Sequence, residues 1–268
     1  MMNVSNLSKN TLNEMFAANK RFDGRKITDF RKIEITYDVS NKAEGSARIK
    51  LGKTDVVVGV KLAPGTPYPD SLDKGNLMVS GDLLPLASPR FEHGPPGFNA
   101  IELPRLIDRA VRESGMIDLS KLVIKEGEKV WTVFIDIYPI NDDGNLIDAA
   151  ALATIAALKK AHIPSINEKG IVDYDKKADP LPLQKDIAPI SFSFFKLGSS
   201  LILDPTREEE EACETRVTWG VSKMFGGYRI NSCQKSGKQI ITQAEIEKMM
   251  SLLPEKCDEL NEKLKKLL

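Results

Sequence analysis

The residues best suited to chemistry lie in one amphipathic stretch, ELPRLIDRAVRESG, at positions 102–115. At helical spacing its apolar side chains fall on one face, whereas Arg105, Arg109 and Arg112 fall on the other, about one turn apart. Guanidinium groups are planar donors that suit phosphate oxygens, so this arginine ridge could follow a phosphodiester backbone.

The same stretch has a simpler interpretation as a solvated helix surface. Asp108 and Glu113 could pair locally with the arginines, and on this stretch alone that interpretation is favoured. Pro104 fits best near the start of the helix, where its missing N–H costs nothing, and Gly115 is a suitable end.

A second candidate site follows the strand-like segment LILD, which ends at Asp204. Asp204 and Glu210 could hold a hard divalent cation, because such ions prefer carboxylate oxygens. The alternative, which the pattern favours, is that Asp204 and Pro205 form a turn and that the glutamates at 208–211 form a solvated face.

The turn NDDGNLID at 141–148 has the order strand, glycine, helix start that suits a bound phosphate. However, Asp142, Asp143 and Asp148 surround it with negative charge, and the segment contains no Lys, Arg, Ser or Thr. This turn is therefore predicted to repel phosphate.

Composition indicates an ordinary globular protein of 268 residues, with 41% hydrophobic and 28% charged residues. Basic and acidic residues both number 38, so a polyanion would have to be held by a local patch. No apolar run reaches the length of a membrane span, and the N-terminus lacks a signal-peptide core. Three widely spaced cysteines suit a reducing cytoplasm, and two histidines make a zinc cluster improbable. We expect a cytoplasmic protein with no membrane contact, metal or cofactor.

Hydrophobic periodicity predicts the elements that would position these residues. A short helix at 7–19 precedes three alternating strands at 33–39, 45–51 and 54–62, which form an antiparallel meander. A buried strand at 130–140 leads into an alanine-rich helix, capped by Asp148 and predicted to be the buried central helix of its layer.

The second part of the chain repeats the strand pattern. Polar residues at 165–187 indicate a linker, after which three strands recur at 190–197, 199–203 and 214–221. A capping box at Thr242 opens a C-terminal helix that is predicted to break at Pro254. The pattern predicts an α+β fold, divided into an N-terminal helical extension at 1–30, a first half at 31–164, the linker, and a second half with the C-terminal helix at 188–268.

Five motifs together resemble RNase PH-like proteins. RFDGR, EGSARIKLGKTDVVVGVKL, ELPRLIDRAVRESG, DGNLIDAAALATIAAL and LILDPTREEEE occur in that family's order, across roughly residues 20 to 250. The chain is most similar to the non-catalytic RNase PH-like subunit of the archaeal exosome ring. The resemblance implies two pseudo-symmetric halves of antiparallel or mixed sheet plus helices. It also implies a hexameric ring of three heterodimers with a catalytic sister subunit, capped by RNA-binding subunits. Such a ring degrades single-stranded RNA from the 3′ end, with inorganic phosphate as the attacking group.

Departures from the catalytic pattern are equally informative. Catalytic relatives carry a Gly-Gly-Thr/Ser-Arg-like stretch where phosphate binds, but the segment at 144–147 reads GNLI. They also carry two aspartates six residues apart; Asp204 matches the first, whereas Glu210 stands at the second. The resemblance therefore implies a non-catalytic subunit that shapes its partner's active site and lends Arg105, Arg109 and Arg112 to the RNA backbone. This reverses the solvated-surface interpretation of the arginine ridge.

Two alternatives remain at this point. One is a self-sufficient phosphorolytic exoribonuclease in which Asp204 and Glu210 hold a metal ion. The other is a small-molecule kinase of similar topology, which would need a glycine- and serine-rich phosphate loop that the sequence does not display.

Overall fold

Strands from the first half of the chain form a six-stranded sheet in the computed structural model, which describes residues 5–167, 171–184, 187–224 and 226–267. The strands are β1 (Ile33–Tyr37), β2 (Gly45–Leu51), β3 (Thr54–Gly65), β4 (Asn76–Gly81), β5 (Val123–Lys125) and β6 (Lys129–Asn141). Their order is β1-β2-β3-β6-β4, β5 pairs with β6, and only β4 and β6 are parallel. The predicted meander is confirmed, with Ile49 opposite both Ile35 and Val56.

Helix α2 (Phe98–Ser114) lies in the crossover from β4 to β6 and carries the arginine ridge. It begins four residues before the predicted start, so Pro104 lies inside the helix rather than in its first turn. The Pro/Gly-rich segment before Phe98 masks these first turns in the sequence, and burial of the apolar face stabilises the helix despite Pro104. Gly115 ends the helix in the left-handed conformation, as predicted.

Helix α3 (Leu146–Lys160) is the buried central helix that its alanines predicted, and it packs against β2, β3 and the later strand Ile190–Leu197. The close approach requires Gly45, since a Cβ there would lie 2.5 Å from the carbonyl oxygen of Ala157. The predicted cap is wrong: Asn145, with φ 57°, precedes the helix, and Asp148 lies in its first turn. Asp148 is unavailable for capping because its carboxylate points inward and accepts from Ser193.

The segment predicted as a linker contains a strand, β8 (Val172–Pro180), which pairs in an antiparallel two-stranded sheet with β7 (His162–Ile166), a strand that begins before the predicted linker. Its polar composition reflects exposure, because β8 is largely solvent-exposed. Residues 168–170 and 185–186, which fall within the predicted linker, lie outside the described part of the chain.

A second sheet consists of β9 (Ile190–Leu197), β10 (Ser200–Leu203), β11 (Thr215–Met224) and β12 (Gly227–Gly237). The three recurrent strands are confirmed, but their pairing is not that of β1-β2-β3. Helix α4 (Arg207–Ala212) separates β10 from β11, and β11 pairs with β9, giving the antiparallel order β10-β9-β11-β12. Strand β12 could not be predicted from periodicity, because its residues are mostly polar and lack a buried face.

Helices α1 (Asn6–Ala17) and α5 (Gln243–Leu267) complete the fold. The predicted capping box of α5 is confirmed, since Glu245 and Thr242 exchange backbone-to-side-chain hydrogen bonds. The predicted break at Pro254 is wrong: α5 is continuous, because buried residues on both sides of Pro254 pack against the core. The α+β class is confirmed. None of the described helices is long and apolar enough to cross a membrane.

Candidate functional site

The arginine ridge lies on the solvent side of α2, as predicted. The apolar face of α2 is buried in the main core, while Arg105, Arg109 and Arg112 are all exposed. The crossover from β4 to β6 fixes this orientation, because the apolar face of α2 must cover the sheet. The structure therefore brings the three predicted residues to one surface.

The three arginines differ in their partners. Arg112 pairs with Asp108 (Nη2–Oδ1 2.6 Å) and donates to the carbonyl oxygen of Leu77 at 3.0 Å. The hydrogen bond to Asp108 raises the pKa of Arg112. Arg105 and Arg109, by contrast, form no hydrogen bond or ion pair with any residue that the structure describes. The ridge therefore holds two cations free to bind a ligand and one that is already neutralised.

Asp204, directly after β10, is fully buried and lies in the left-handed region with φ 45°. Its carboxylate accepts five hydrogen bonds: three from Arg31, one from Arg25 and one from the side chain of Asn145. Because a carboxylate has about four lone-pair positions, these donors leave no oxygen free for a metal ion. Within the described ranges, no group of three or more His, Cys, Asp or Glu residues could hold a metal.

The glutamates of α4 do not form the solvated face that the sequence favoured. Glu208 is exposed, but Glu209 is buried against Arg21, to which it is ion-paired. Glu210 turns toward the start of α3, and Glu211 lies within reach of Arg90 and Arg207. The prediction failed because most of these basic partners come from distant segments of the chain.

The turn before α3 is also less negative than predicted. Arg31 donates to the carbonyl oxygens of Asp143 (2.8 Å) and Gly144 (3.0 Å), and Arg90 forms an ion pair with Asp142. Neither arginine is near this turn in sequence, so the local pattern overstated the repulsion of an anion.

This turn nevertheless already holds an anionic group, supplied by the chain itself. Oε2 of Glu210 accepts the backbone N–H of Asn145 at 2.6 Å, at the N-terminus of α3. Burial raises the pKa of Glu210, and the Asn145 N–H partly opposes that rise by stabilising the carboxylate. The helix terminus that would attract a phosphate is occupied by a side chain.

A small cavity of about 60 Å³ lies beside this contact and was not predicted from the sequence. Its polar lining residues are Arg90, Asn99, Glu102, Asn145, Glu210 and Arg216. Two of these residues, Glu102 and Arg216, form an ion pair of 2.7 Å. A cavity of this size has room for a few water molecules.

Asp148 connects α3 to the second sheet. Its fully buried carboxylate accepts the backbone N–H of Ser193 (3.1 Å), the Ser193 hydroxyl (2.8 Å) and the amide of Asn145 (3.1 Å). Burial raises the pKa of Asp148 to about 7, although these hydrogen bonds act in the opposite direction.

The chain is similar to known proteins over most of its length. Residues 29–164 match the RNase PH family, described as 3′ exoribonuclease family, domain 1, and residues 188–252 match domain 2 of that family. The chain is 45% identical over 249 residues to exosome complex component Rrp42 of Archaeoglobus fulgidus, covering 93% of this chain and 92% of that protein. It is 48% identical over 244 residues to the protein of the same name from Methanocella arvoryzae, covering 91% and 90%.

The chain is also similar to chains of solved structures over nearly its whole length. A chain from the Archaeoglobus fulgidus exosome with RNA bound to the active site matches with a TM-score of 0.86 and 42% identity, over 96% of this chain and 98% of that one. A chain from an archaeal exosome core matches with a TM-score of 0.82 and 38% identity, over 97% and 96%. Rice Rrp46, at 18% identity and a TM-score of 0.66, shares the fold.

Proposed function

Because the chain belongs to the 3′ exoribonuclease, or RNase PH, family, we propose that it is a non-catalytic subunit of an exosome-type complex that degrades RNA. The family resemblance and the RNase PH-like α+β fold predicted from the motifs are both confirmed. In this proposal the subunit shapes the active site of a catalytic partner and contacts the RNA backbone.

The contact between Glu210 and the Asn145 N–H is the observation that carries the non-catalytic role. A phosphorolytic site must hold inorganic phosphate beside an RNA phosphodiester, which requires donors directed at both anions. Here the N-terminus of α3 donates to a carboxylate, and residues 144–147 provide neither a hydroxyl nor a basic side chain. An incoming phosphate would have to displace Glu210.

Asp204 argues against the self-sufficient nuclease. That alternative needs Asp204 and Glu210 to share a metal ion. The lone pairs of the Asp204 carboxylate are instead occupied by hydrogen bonds from Arg25, Arg31 and Asn145. Asp204 therefore acts as a structural anchor between chain segments.

Arg105 and Arg109 support the RNA-binding role, because neither has a counter-ion among the described residues. They are four residues apart on one helix, a separation of about 6 Å along its axis. Exposed guanidinium groups at this spacing are suited to neighbouring phosphates of a strand. Arg112 is a weaker third contact, because Asp108 already occupies its guanidinium.

The proposed partners follow from the family. They are a catalytic RNase PH-like sister subunit, with which this chain would form a ring of three heterodimers, and RNA-binding subunits that cap the ring. The proposal includes single-stranded RNA as substrate and a cytoplasmic site of action.

Phosphorolysis assays of the separate and combined subunits test this function. The chain alone should release no nucleoside diphosphates from single-stranded RNA in phosphate buffer, and the assembly with a catalytic sister should be active. Inorganic phosphate should also leave the melting temperature of the lone wild-type chain unchanged, while raising that of a Glu210→Ala variant, in which the α3 N-terminus is open. Phosphate-dependent RNA shortening by the homogeneous lone chain would refute the proposal.

A further inference from the structure

An exposed aromatic residue extends the arginine ridge toward the start of α2. Phe98, the first residue of α2, is 70% exposed. At about 100° per residue, Arg105 and Arg109 lie within about 20° of Phe98 on either side of it around the helix. Along the helix axis they lie about 10 and 16 Å from it. One stripe of α2 therefore carries an aromatic ring followed by two free cations.

We propose that Phe98 is a base-stacking platform for the single-stranded RNA whose phosphates Arg105 and Arg109 hold. This inference rests on the proposed function, because it assumes that RNA follows the arginine ridge. Sites that bind single strands without sequence preference combine a positive track with aromatic side chains on which bases stack. Every base has a π-face, so Phe98 would bind RNA without selecting its sequence.

The charge of the stripe favours RNA over a protein partner. The buried core of a protein interface is depleted of charged residues, and an unpaired charge there is costly. Arg105 and Arg109 are exposed without a counter-ion among the described residues, and they flank Phe98 on the same face. A polyanion with attached aromatic bases complements both features at once.

A matched control is available elsewhere in the chain. Phe22 is also 70% exposed, but it lies in the N-terminal segment beside Arg21 and Arg25, which are already ion-paired with acidic residues. Removing the Phe22 ring therefore deletes the same exposed surface without a free cation beside it.

The test measures RNA binding by the complex of this chain with a catalytic sister subunit, in buffer without phosphate so that the RNA stays intact. The probe is a single-stranded oligoadenylate. Phe98→Leu should weaken binding about 5- to 150-fold, the effect expected for losing one stacked base. The salt dependence should not change, because no phosphate contact is lost. Phe98→Trp should restore affinity, and Phe22→Leu should bind like the wild type.

Oligonucleotides with a single abasic position locate the stacked base. At one position, removing the base should weaken wild-type binding but should have no further effect on the Phe98→Leu complex. Wild-type affinity of Phe98→Leu, an equal loss at every abasic position, or failure of Phe98→Leu to assemble would each overturn the stacking proposal; the last would assign Phe98 to a protein contact. After any of these three outcomes, the double variant Arg105→Ala/Arg109→Ala can still be tested. If its RNA binding depends less on salt than that of the wild type, the RNA-binding role of the ridge survives without Phe98.

Discussion

At the level of single residues, the arginine ridge shows how much a sequence pattern can specify. Spacing alone put Arg105, Arg109 and Arg112 on one exposed face, and the structure agrees. Spacing could not show which arginine is neutralised: Asp108 pairs with Arg112, whereas Glu113 forms no ion pair with an arginine of the ridge among the described residues. That selection depends on side-chain conformation and on the carbonyl of Leu77, 35 residues away in sequence.

This difference predicts unequal effects on RNA binding. In the assembled complex, Arg105→Ala with Arg109→Ala should weaken binding and reduce the slope of log affinity against log salt by about 1.4, because each contact to a single strand contributes about 0.7. Arg112→Ala should reduce the slope less, since Asp108 already neutralises its charge. Affinity measured over a range of salt concentrations gives both values.

Lys50→Ala is a suitable control, because it removes an exposed positive charge from β2, away from the ridge. A double arginine variant with the wild-type slope would show that RNA does not follow α2.

At the level of elements, alternation and helical period located most helices and strands, but their ends and pairings depended on tertiary contacts. Pro254 interrupts the sequence pattern of α5, yet burial on both sides keeps the helix continuous. The start of α3 was misplaced because the best capping residue in the sequence, Asp148, bonds to Ser193 on β9. The contact of the Glu210 carboxylate with the same helix terminus could not be predicted either, because Glu210 lies on another element, α4.

The buried Asp148 predicts a pH-dependent link between α3 and β9. Its pKa is about 7 in the folded protein, raised from about 3.8 for an unperturbed aspartate, so between these values the folded state binds more protons than the unfolded state. Its contribution to the free energy of unfolding therefore falls as pH rises through this window, by at most about 1.4 kcal/mol per pH unit. Above pH 7 the loss is complete.

Urea unfolding of the wild type and of Asp148→Asn at several pH values between about 5 and 8 checks this prediction. The free energy of unfolding of the wild type minus that of the variant should fall as pH rises toward 7 and then level off. A difference independent of pH would mean that Asp148 is ionised throughout and that its hydrogen bonds outweigh its burial.

At the level of the whole molecule, the N-terminal segment is tied to the second half of the chain by arginines. Arg21 pairs with Glu209, while Arg25 and Arg31 converge on Asp204. These partners are separated by more than 170 positions, so no local pattern could have revealed them. The sequence offered a metal site at Asp204 and Glu210 and favoured a turn followed by a solvated face, whereas their long-range partners make both residues structural.

Arg31 is the centre of this connection, and its loss should destabilise the entire fold. Its side chain is only 8% exposed, and its guanidinium joins Asp204, which lies after β10, to the carbonyls of the turn before α3. Arg31→Ala should lower the free energy of unfolding by about 3–5 kcal/mol, because it leaves a buried carboxylate short of donors. Arg31→Lys should lower the free energy of unfolding by less than Arg31→Ala, since lysine keeps the charge but not the planar set of donors.

The neighbouring Lys32 provides the control, because its side chain is 82% exposed and its ion pair with Glu34 lies in solvent. Lys32→Ala should leave the urea midpoint unchanged. If Arg31→Ala unfolds at the wild-type midpoint, Arg25 and Asn145 are sufficient for Asp204, and the N-terminal segment only rests on a fold that is complete without it. A large decrease in the urea midpoint for Arg31→Ala but not for Lys32→Ala would show instead that the residues before β1 are an integral part of the second half. Truncating those residues would then remove the arginines that hold Asp204, close to Glu210.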